Sequence, residues 1–256
     1  MDHNVENITP YAADGDSRAK SDQVRDMFDS IAPAYDTMNR MMTMGVDRRW
    51  RQRCVRTVRD ISPKAVLDLA TGTGDMAVAL AKAIPEAHIT GADLSESMIE
   101  VGRKKIAEKG IGDRVELLTA DALDLPFDDN VFDAVTIAFG VRNFEHLDAG
   151  YAEMCRVLRP GGLLVVFELT PPKSKVVRPF YNFYTRCIIP GVGRLVSHDS
   201  RAYTYLPESI AAVPARRDMF DIMESAGFGD TAYKSLTFGV ATIYTATKAK
   251  PDTHNS

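Results

Sequence analysis

The sequence predicts an α/β protein, a mostly parallel sheet with helices packed on both faces. Three observations carry that prediction. Short apolar runs alternate with stretches of helical period across residues 66–167. Residues 66–70 are apolar except for Asp68, as a buried parallel strand would be, and residues 71–75 are too small and turn-prone to extend them. A helical period then resumes at Met76, completing the strand, glycine turn and helix of half a βαβ unit. In that turn, Gly72 and Gly74 admit dihedrals closed to other residues and let a ligand approach the backbone. The unpaired N–H groups of the following helix face the same point, so the unit predicts a nucleotide-type cofactor site.

The elements follow in order. Residues 1–21 mix Asn, Asp, Gly and Ser, read as a loose tail, and lack the apolar core of a signal peptide. Val24, Met27, Phe28 and Ile31 form one helical face, which Pro33 interrupts. Residues 34–44 carry Tyr35 and four methionines, read either as a packing helix or as an adaptable lid over a greasy substrate. Residues 50–61 predict a basic helix with Trp50, Cys54, Val55 and Val58 inward; its arginines are read as a solvated face, with attraction to anionic lipid as the alternative. Residues 22–61 together form the expected helical lid. Strands are expected at 66–70, 88–92, 115–119, 132–138 and 163–167, with helices at 76–83, 95–109 and 147–158 between them. Ser95 is the expected N-cap of the second of these helices, with Met98, Ile99 and Ile106 on its buried side. Pro160-Gly161-Gly162 reads as a tight turn into the fifth strand.

Residues 169–206 break the rhythm with four prolines among aromatic and apolar residues, an insertion able to cover the carboxyl ends of the strands. A helix over 209–226 and strands over 230–237 and 240–247 complete a main domain over 62–248, followed by a polar tail, 249–256.

Composition bounds the function. Hydrophobic content of 45% with 26% charged residues is that of a globular protein, and a formal net charge of -4 argues against a broad nucleic-acid surface. Cys54, Cys155 and Cys187 lack metal-pair spacing and read as reduced thiols of a cytoplasmic protein. The five histidines are scattered, so no metal is expected. No run reaches the roughly 18 apolar residues of a spanning helix, which leaves membrane contact peripheral.

The spacing Gly72-x-Gly74-x-x-Ala77, with Asp93 after the second strand, fits a dinucleotide fingerprint. Asp75 directly after the second glycine would repel a pyrophosphate, and Asp121 ends the third strand as if to meet a base edge. S-adenosylmethionine, with an adenosine and an aminoacyl group but no phosphate, suits both. Spacing alone leaves the two open. Ligands in open α/β sheets lie beyond the carboxyl ends of the strands. Candidate cofactor residues are therefore Ala70, Gly72, Thr73, Gly74 and Asp75 after strand one, Asp93 and Leu94 after strand two, and Asp121 and Ala122 after strand three. Asp75 would attract the ammonium, Asp93 accept the ribose hydroxyls and Asp121 accept the adenine amino group. The plain alternatives are a helix-capping carboxylate for Asp93 and a turn for Asp121. Asp68, buried, is expected to hydrogen-bond the glycine loop.

The run Asp68-Leu-Ala-Thr-Gly-Thr-Gly-Asp75 resembles the first motif of class I methyltransferases, above all the ubiquinone/menaquinone-biosynthesis C-methyltransferases of the UbiE/MenG type. Tyr35-Asp36-Thr37-Met38-Asn39, Gly140-Val141-Arg142-Asn143, the stretch from Arg156 through Gly162 and that from Tyr203 through Ile210 agree with it. The resemblance spans residues 24–248. It implies a Rossmann-like fold with seven strands in the order 3-2-1-4-5-7-6, the last-formed strand antiparallel. It implies S-adenosylmethionine bound at the positions of Thr73, Asp93, Asp121 and Ala122. The implied acceptor is a polyprenylated hydroquinone: demethylmenaquinol, a demethylated ubiquinol precursor, or both.

On that reading Arg142 stabilises phenolate charge and Asn143 fixes a ring oxygen, their plain alternative being polar capping of the next helix. His198 and Tyr203 are candidates for the base or relay, with Asp199 to orient His198. Tyr35, Asn39 and Tyr203 join Arg142 and Asn143 as substrate-binding candidates. Asp47 departs from the family, which commonly carries His or Gln there, and receives no catalytic role. The apolar insertion and the methionine helix would take the prenyl tail and touch a membrane surface, or bury against a second copy as a homodimer. The rivals are a methyltransferase for another small hydrophobic acceptor, a dinucleotide oxidoreductase, and an idle scaffold of a quinone-biosynthesis assembly.

Overall fold

The computed structural model describes residues 18–188, 191 and 201–250. Seven strands form one sheet in the order β3-β2-β1-β4-β5-β7-β6. They are β1 Ala65–Leu69, β2 His88–Asp93, β3 Val115–Thr119, β4 Phe132–Ala138, β5 Leu158–Leu169, β6 Phe228–Leu236 and β7 Ala241–Lys248. Pairing is parallel through β5, while β7 runs antiparallel to both β5 and β6. The order implied by the resemblance is therefore the observed one.

Nine α-helices are described, besides short 3-10 and π turns. They are α1 Lys20–Ile31, α2 Tyr35–Thr43, α3 Asp47–Arg59, α4 Asp75–Ala83, α5 Glu96–Lys109, α6 Leu147–Val157, α7 Val177–Phe183, α8 Arg201–Ala211 and α9 Arg216–Ser225. On one face of the sheet, α3, α4 and α5 bury Trp50, Cys54, Val58, Leu80 and Ile99 with Val66 and Val165. On the other, α6 and α9 bury Tyr151, Met154, Met219 and Met223 with Leu67, Leu164 and Val166. Apart from Asp68 and Thr136, which pair with each other, the central strands β1 and β4 bury mainly apolar side chains on both sides because both sides are covered. The basic helix α3 packs into the sheet's core layer through Trp50, Cys54 and Val58 while Asp47 and Arg51 line the larger cavity, with Arg48, Arg49, Arg53 and Arg56 turned to solvent as expected. A third cluster, Val24, Met27, Ile31, Met38, Met98 and Tyr205, ties α1 and α2 to α5 and α8.

Ser95 caps α5, its hydroxyl accepting from the Met98 N–H at 3.2 Å. Two expectations need correction. The helix read over 209–226 is two helices, because Pro214 supplies no N–H and disfavours helical geometry before it. The Pro160-Gly161-Gly162 turn lies inside β5, where the register against β4 shifts between Phe132 and Ala134. Gly161 has φ +80, and a Cβ on Gly162 would sit 2.8 Å from the Arg159 carbonyl, so an irregularity of the strand requires both glycines.

Candidate functional site

The carboxyl ends of β1 and β4 lie side by side, and the site is built where the chain turns off them. Ala70 follows β1 at φ +51 and Phe139 follows β4 at φ +59, both left-handed conformations that are uncommon outside glycine. Gly140 follows Phe139, and a Cβ there would lie 2.6 Å from the Ala70 Cβ. A glycine is needed for the two turns to touch. The Gly140-Val141-Arg142-Asn143 motif is thereby set against the glycine turn.

That turn is held from beneath. Asp68, fully buried, accepts the Thr71 hydroxyl at 2.6 Å and the Thr136 hydroxyl at 2.7 Å. Burial pushes its carboxyl up to about 6 against those hydrogen bonds. Gly72 has φ +56, and its N–H donates to Asp93 Oδ2 at 2.7 Å, while Asp93 Oδ1 accepts the Ser95 N–H at 3.0 Å. Burial raises the Asp93 carboxyl above the usual carboxylate range. Gly74, at φ +78, opens α4.

Two cavities meet around this turn. The smaller, about 90 Å³, is lined by Asp93, Leu94, Asp121 and Ala122 together with apolar Val24, Leu69, Met98 and Phe144. The Asp121 carboxylate also accepts the Leu123 N–H at 2.9 Å, so the turn role and the cavity-facing position coexist. The larger cavity, about 480 Å³, runs from Ala70, Gly72, Thr73 and Asp75 past Arg142 to methionines of α1 and α2 and to Phe180 and Tyr184. Phe28, Tyr35, Ala70, Gly72, Phe139 and Asn143 line both. Nine candidate cofactor residues were expected; all but Gly74 line one cavity or the other, and Gly74 shapes the turn between them.

The groups present fit S-adenosylmethionine. The small cavity offers the carboxylates of Asp93 and Asp121, with Glu145 also in its lining, to hydroxyl and amino donors beside an apolar slot. Asp36 and Asp75 line the larger cavity beside the turn, and neither carboxylate offers a donor to a phosphate. Asp75 itself is already engaged: Lys105 Nζ lies 2.7 Å from Oδ1 and an Arg51 nitrogen 3.3 Å from Oδ2. Those cations hold its carboxyl below the usual range despite burial, which alone would raise it. Lys105 also contacts Asp36 at 2.6 Å and Thr73 at 3.1 Å, and the Thr73 hydroxyl donates to Asp36 at 2.5 Å. Thr73 therefore spends its side chain fastening α2 to the glycine turn. Asp47, buried in α3, accepts from Thr43 and pairs with Arg51.

On the acceptor side, Arg142 pairs with Glu168 Oε1 at 2.6 Å, with its guanidinium 5.8 Å from the Phe139 ring centre. Asn143 Oδ1 accepts the Tyr205 hydroxyl at 3.1 Å. Burial pushes the phenols of Tyr205 and Tyr181 up to about 12, so both stay protonated donors at neutral pH. Tyr35 lies against Asn39, and its phenol is likewise raised by burial. Tyr203 falls in α8 with its side chain outside the described residues, and His198 and Asp199 lie outside them altogether. Glu168, Tyr205, Arg51 and Lys105 were not anticipated. Glu168 carried a readable signal, a lone acid ending the apolar run of β5.

Among the described residues no helix is long and apolar enough to cross a membrane. The model of the ubiE/COQ5 methyltransferase family matches residues 16–248. A demethylmenaquinone methyltransferase of Bacteroides fragilis is 42% identical, over 97% of this chain and 100% of that protein. A ubiquinone/menaquinone biosynthesis C-methyltransferase UbiE of Geobacter sulfurreducens is 44% identical, over 90% of each. Among solved structures, the [4+2]-cyclase SpnF superposes with a TM-score of 0.69 at 18% identity, over 90% of this chain and 97% of that one. At that identity the likeness is one of fold.

Proposed function

The chain belongs to the ubiE/COQ5 methyltransferase family and is an S-adenosylmethionine-dependent methyltransferase, and on that premise we propose that it C-methylates demethylmenaquinol to menaquinol. The observation that carries the proposal is the junction of the two cavities, where Asn143 lines both and Arg142 lines the larger. A polar pair there faces an otherwise largely apolar space, which suits a ring with acidic hydroxyls and a greasy tail.

The cofactor, when bound, supplies a methyl group already electrophilic on its sulfonium. The chain's task is alignment, exclusion of water and activation of the acceptor. Asp93 and Asp121 would hold the adenosine, and Gly72 would let the aminoacyl part approach the backbone. A phenolic hydroxyl titrates near ~10, so a ring carbon becomes nucleophilic at neutral pH only if phenolate charge is stabilised. The Arg142 guanidinium supplies that stabilisation, and Asn143, oriented by Tyr205, supplies a hydrogen bond to a ring oxygen. Tyr35 and Asn39 line the same cavity and would shape the rest of the acceptor's wall.

The tail would leave between Met44 and Phe180, which line the cavity and are 78% and 74% exposed. Val176, Phe183 and Phe238, each adjacent in sequence to a lining residue (Val177, Tyr184 and Thr237), are also exposed, and such apolar side chains support contact with a lipid surface. Methylation of a benzoquinol as well is a second reading, favoured by the name of the Geobacter relative. The test is Arg142→Gln. It should bind S-adenosylmethionine as the parent does and lose about 10²-fold or more in kcat on a demethylmenaquinol analogue. Unchanged kcat would remove Arg142 from the mechanism.

A further inference from the structure

Glu168 is fully buried at the end of β5, opposite Thr242 of β7. Its Oε1 accepts both an Arg142 N–H at 2.6 Å and the Leu169 N–H at 2.8 Å. Its Oε2 and the Arg142 Nε are buried without a hydrogen-bond partner. A pair that served stability alone would be expected to close as a bidentate fork, with both carboxylate oxygens used. Between the two side chains this one makes a single hydrogen bond, with the Arg142 backbone also acting on the carboxylate, and it leaves the Arg142 Nε and Glu168 Oε2 over. Nor does the fold gain much from it, since well-packed apolar residues in place of a buried ion pair are often neutral or stabilising.

We infer that Glu168 is a positioning residue for methyl transfer: its carboxylate fixes the Arg142 guanidinium at the junction of the two cavities and so determines where negative charge on the acceptor is stabilised. The inference rests on the acceptor-side role given above to Arg142. Every titratable side chain described as acting on Glu168, other than Arg142, is a tyrosine: Tyr151 from α6, Tyr181 from α7, Tyr205 from α8 and Tyr244 from β7. These stay neutral at ordinary pH, because burial raises all four phenols. Among these groups Arg142 alone is charged, so the guanidinium's direction depends on one carboxylate. Catalytic geometry is sensitive to such anchoring, since a misplacement of about 1 Å can cost about 10²-fold in rate.

The pair also predicts a pH dependence. Glu168 positions Arg142 only when ionised, and burial raises its carboxyl while Arg142 pulls the other way. As pH falls through that raised value the carboxylate is lost, Arg142 is released and the rate falls.

The experiment compares the full chain with Glu168→Gln, which keeps an oxygen for Leu169 and Arg142 but no charge. It measures S-adenosylmethionine affinity, kcat on a demethylmenaquinol analogue, and the pH profile of kcat. The expected result is unchanged cofactor affinity, kcat lower by about ten- to a hundredfold, and an acid limb present in the parent but absent in the variant. A variant with parental kcat and an unaltered acid limb would overturn the inference. If E168Q fails to fold, Glu168→Asp carries the test: it keeps the charge but withdraws it by one methylene. A kcat loss at unchanged cofactor affinity would support the inference, and parental kcat would refute it. No turnover by the parent would refute the acceptor assignment itself, an outcome distinct from equal turnover by parent and variant.

Discussion

Replacing Asp93 by Asn separates two roles that the structure assigns to one carboxylate. Asp93 accepts the Gly72 N–H at 2.7 Å through one oxygen and the Ser95 N–H at 3.0 Å through the other. Asn keeps one acceptor and presents an NH2 group where the second was. One charge-assisted hydrogen bond is lost, about 1.5–3 kcal/mol, and two donors face each other. The melting temperature should fall for that reason alone. The cofactor reading predicts a second effect, because the ribose hydroxyls would donate to the same carboxylate. Losing one such bond at about 1.5–3 kcal/mol weakens binding roughly ten- to a hundredfold. Calorimetric titration with S-adenosylmethionine, run beside thermal melts, reads both. Burial raises the parent's carboxyl, so parental affinity should weaken as pH falls through that raised value, whereas D93N should show no such limb. If D93N is destabilised yet binds S-adenosylmethionine with parental affinity and pH dependence, Asp93 serves only the turn and the cofactor reading of it fails.

Three further outcomes follow from the geometry. Gly140→Ala should destabilise by about 1–3 kcal/mol and weaken cofactor binding, because its Cβ meets Ala70 at 2.6 Å; parental melting temperature and affinity would show that the two turns need not touch. Asp68 has its carboxyl raised to about 6 from an ordinary 3.8. Its contribution to stability is therefore fully present below about pH 4 and is lost as pH rises through about 6. The stability of the parent relative to Asp68→Asn should fall by on the order of 3 kcal/mol across that window, and denaturant melts showing a constant difference would refute the assignment. Finally, Phe183→Asp with Phe238→Asp should abolish co-sedimentation with anionic lipid vesicles while methylation of a short-tailed quinol persists. Phe238 already holds φ +57, a conformation Asp tolerates. Unimpaired sedimentation would move the lipid contact elsewhere.

The sheet and the cofactor end of the site were legible because their signals are local. Strands buried on both faces read as largely apolar runs, and the glycine turn, Asp93 and Asp121 lie at or just after their ends. The acceptor end was only half legible. Arg142 and Asn143 stood in a motif, but their partners Glu168 and Tyr205 are 26 and 62 residues away and meet them only once the sheet is assembled. The sequence presents Asp75 as able to attract an ammonium, since nothing near it in sequence announces Lys105, 30 residues on. Within their motif the sequence points to Tyr203; the position of α8 sets Tyr205, 62 residues on from Asn143, against it. The helix over 209–226 failed for a local reason, an apolar period read through Pro214.

The most direct test of the whole account is product analysis. Purified protein would be incubated with S-adenosylmethionine and, separately, a reduced demethylmenaquinol analogue and a reduced demethylated benzoquinol analogue, with products identified by mass spectrometry. The account predicts a naphthoquinol one methyl heavier, the new methyl on a ring carbon. Intact cofactor binding with no methylated product from either acceptor would contradict it.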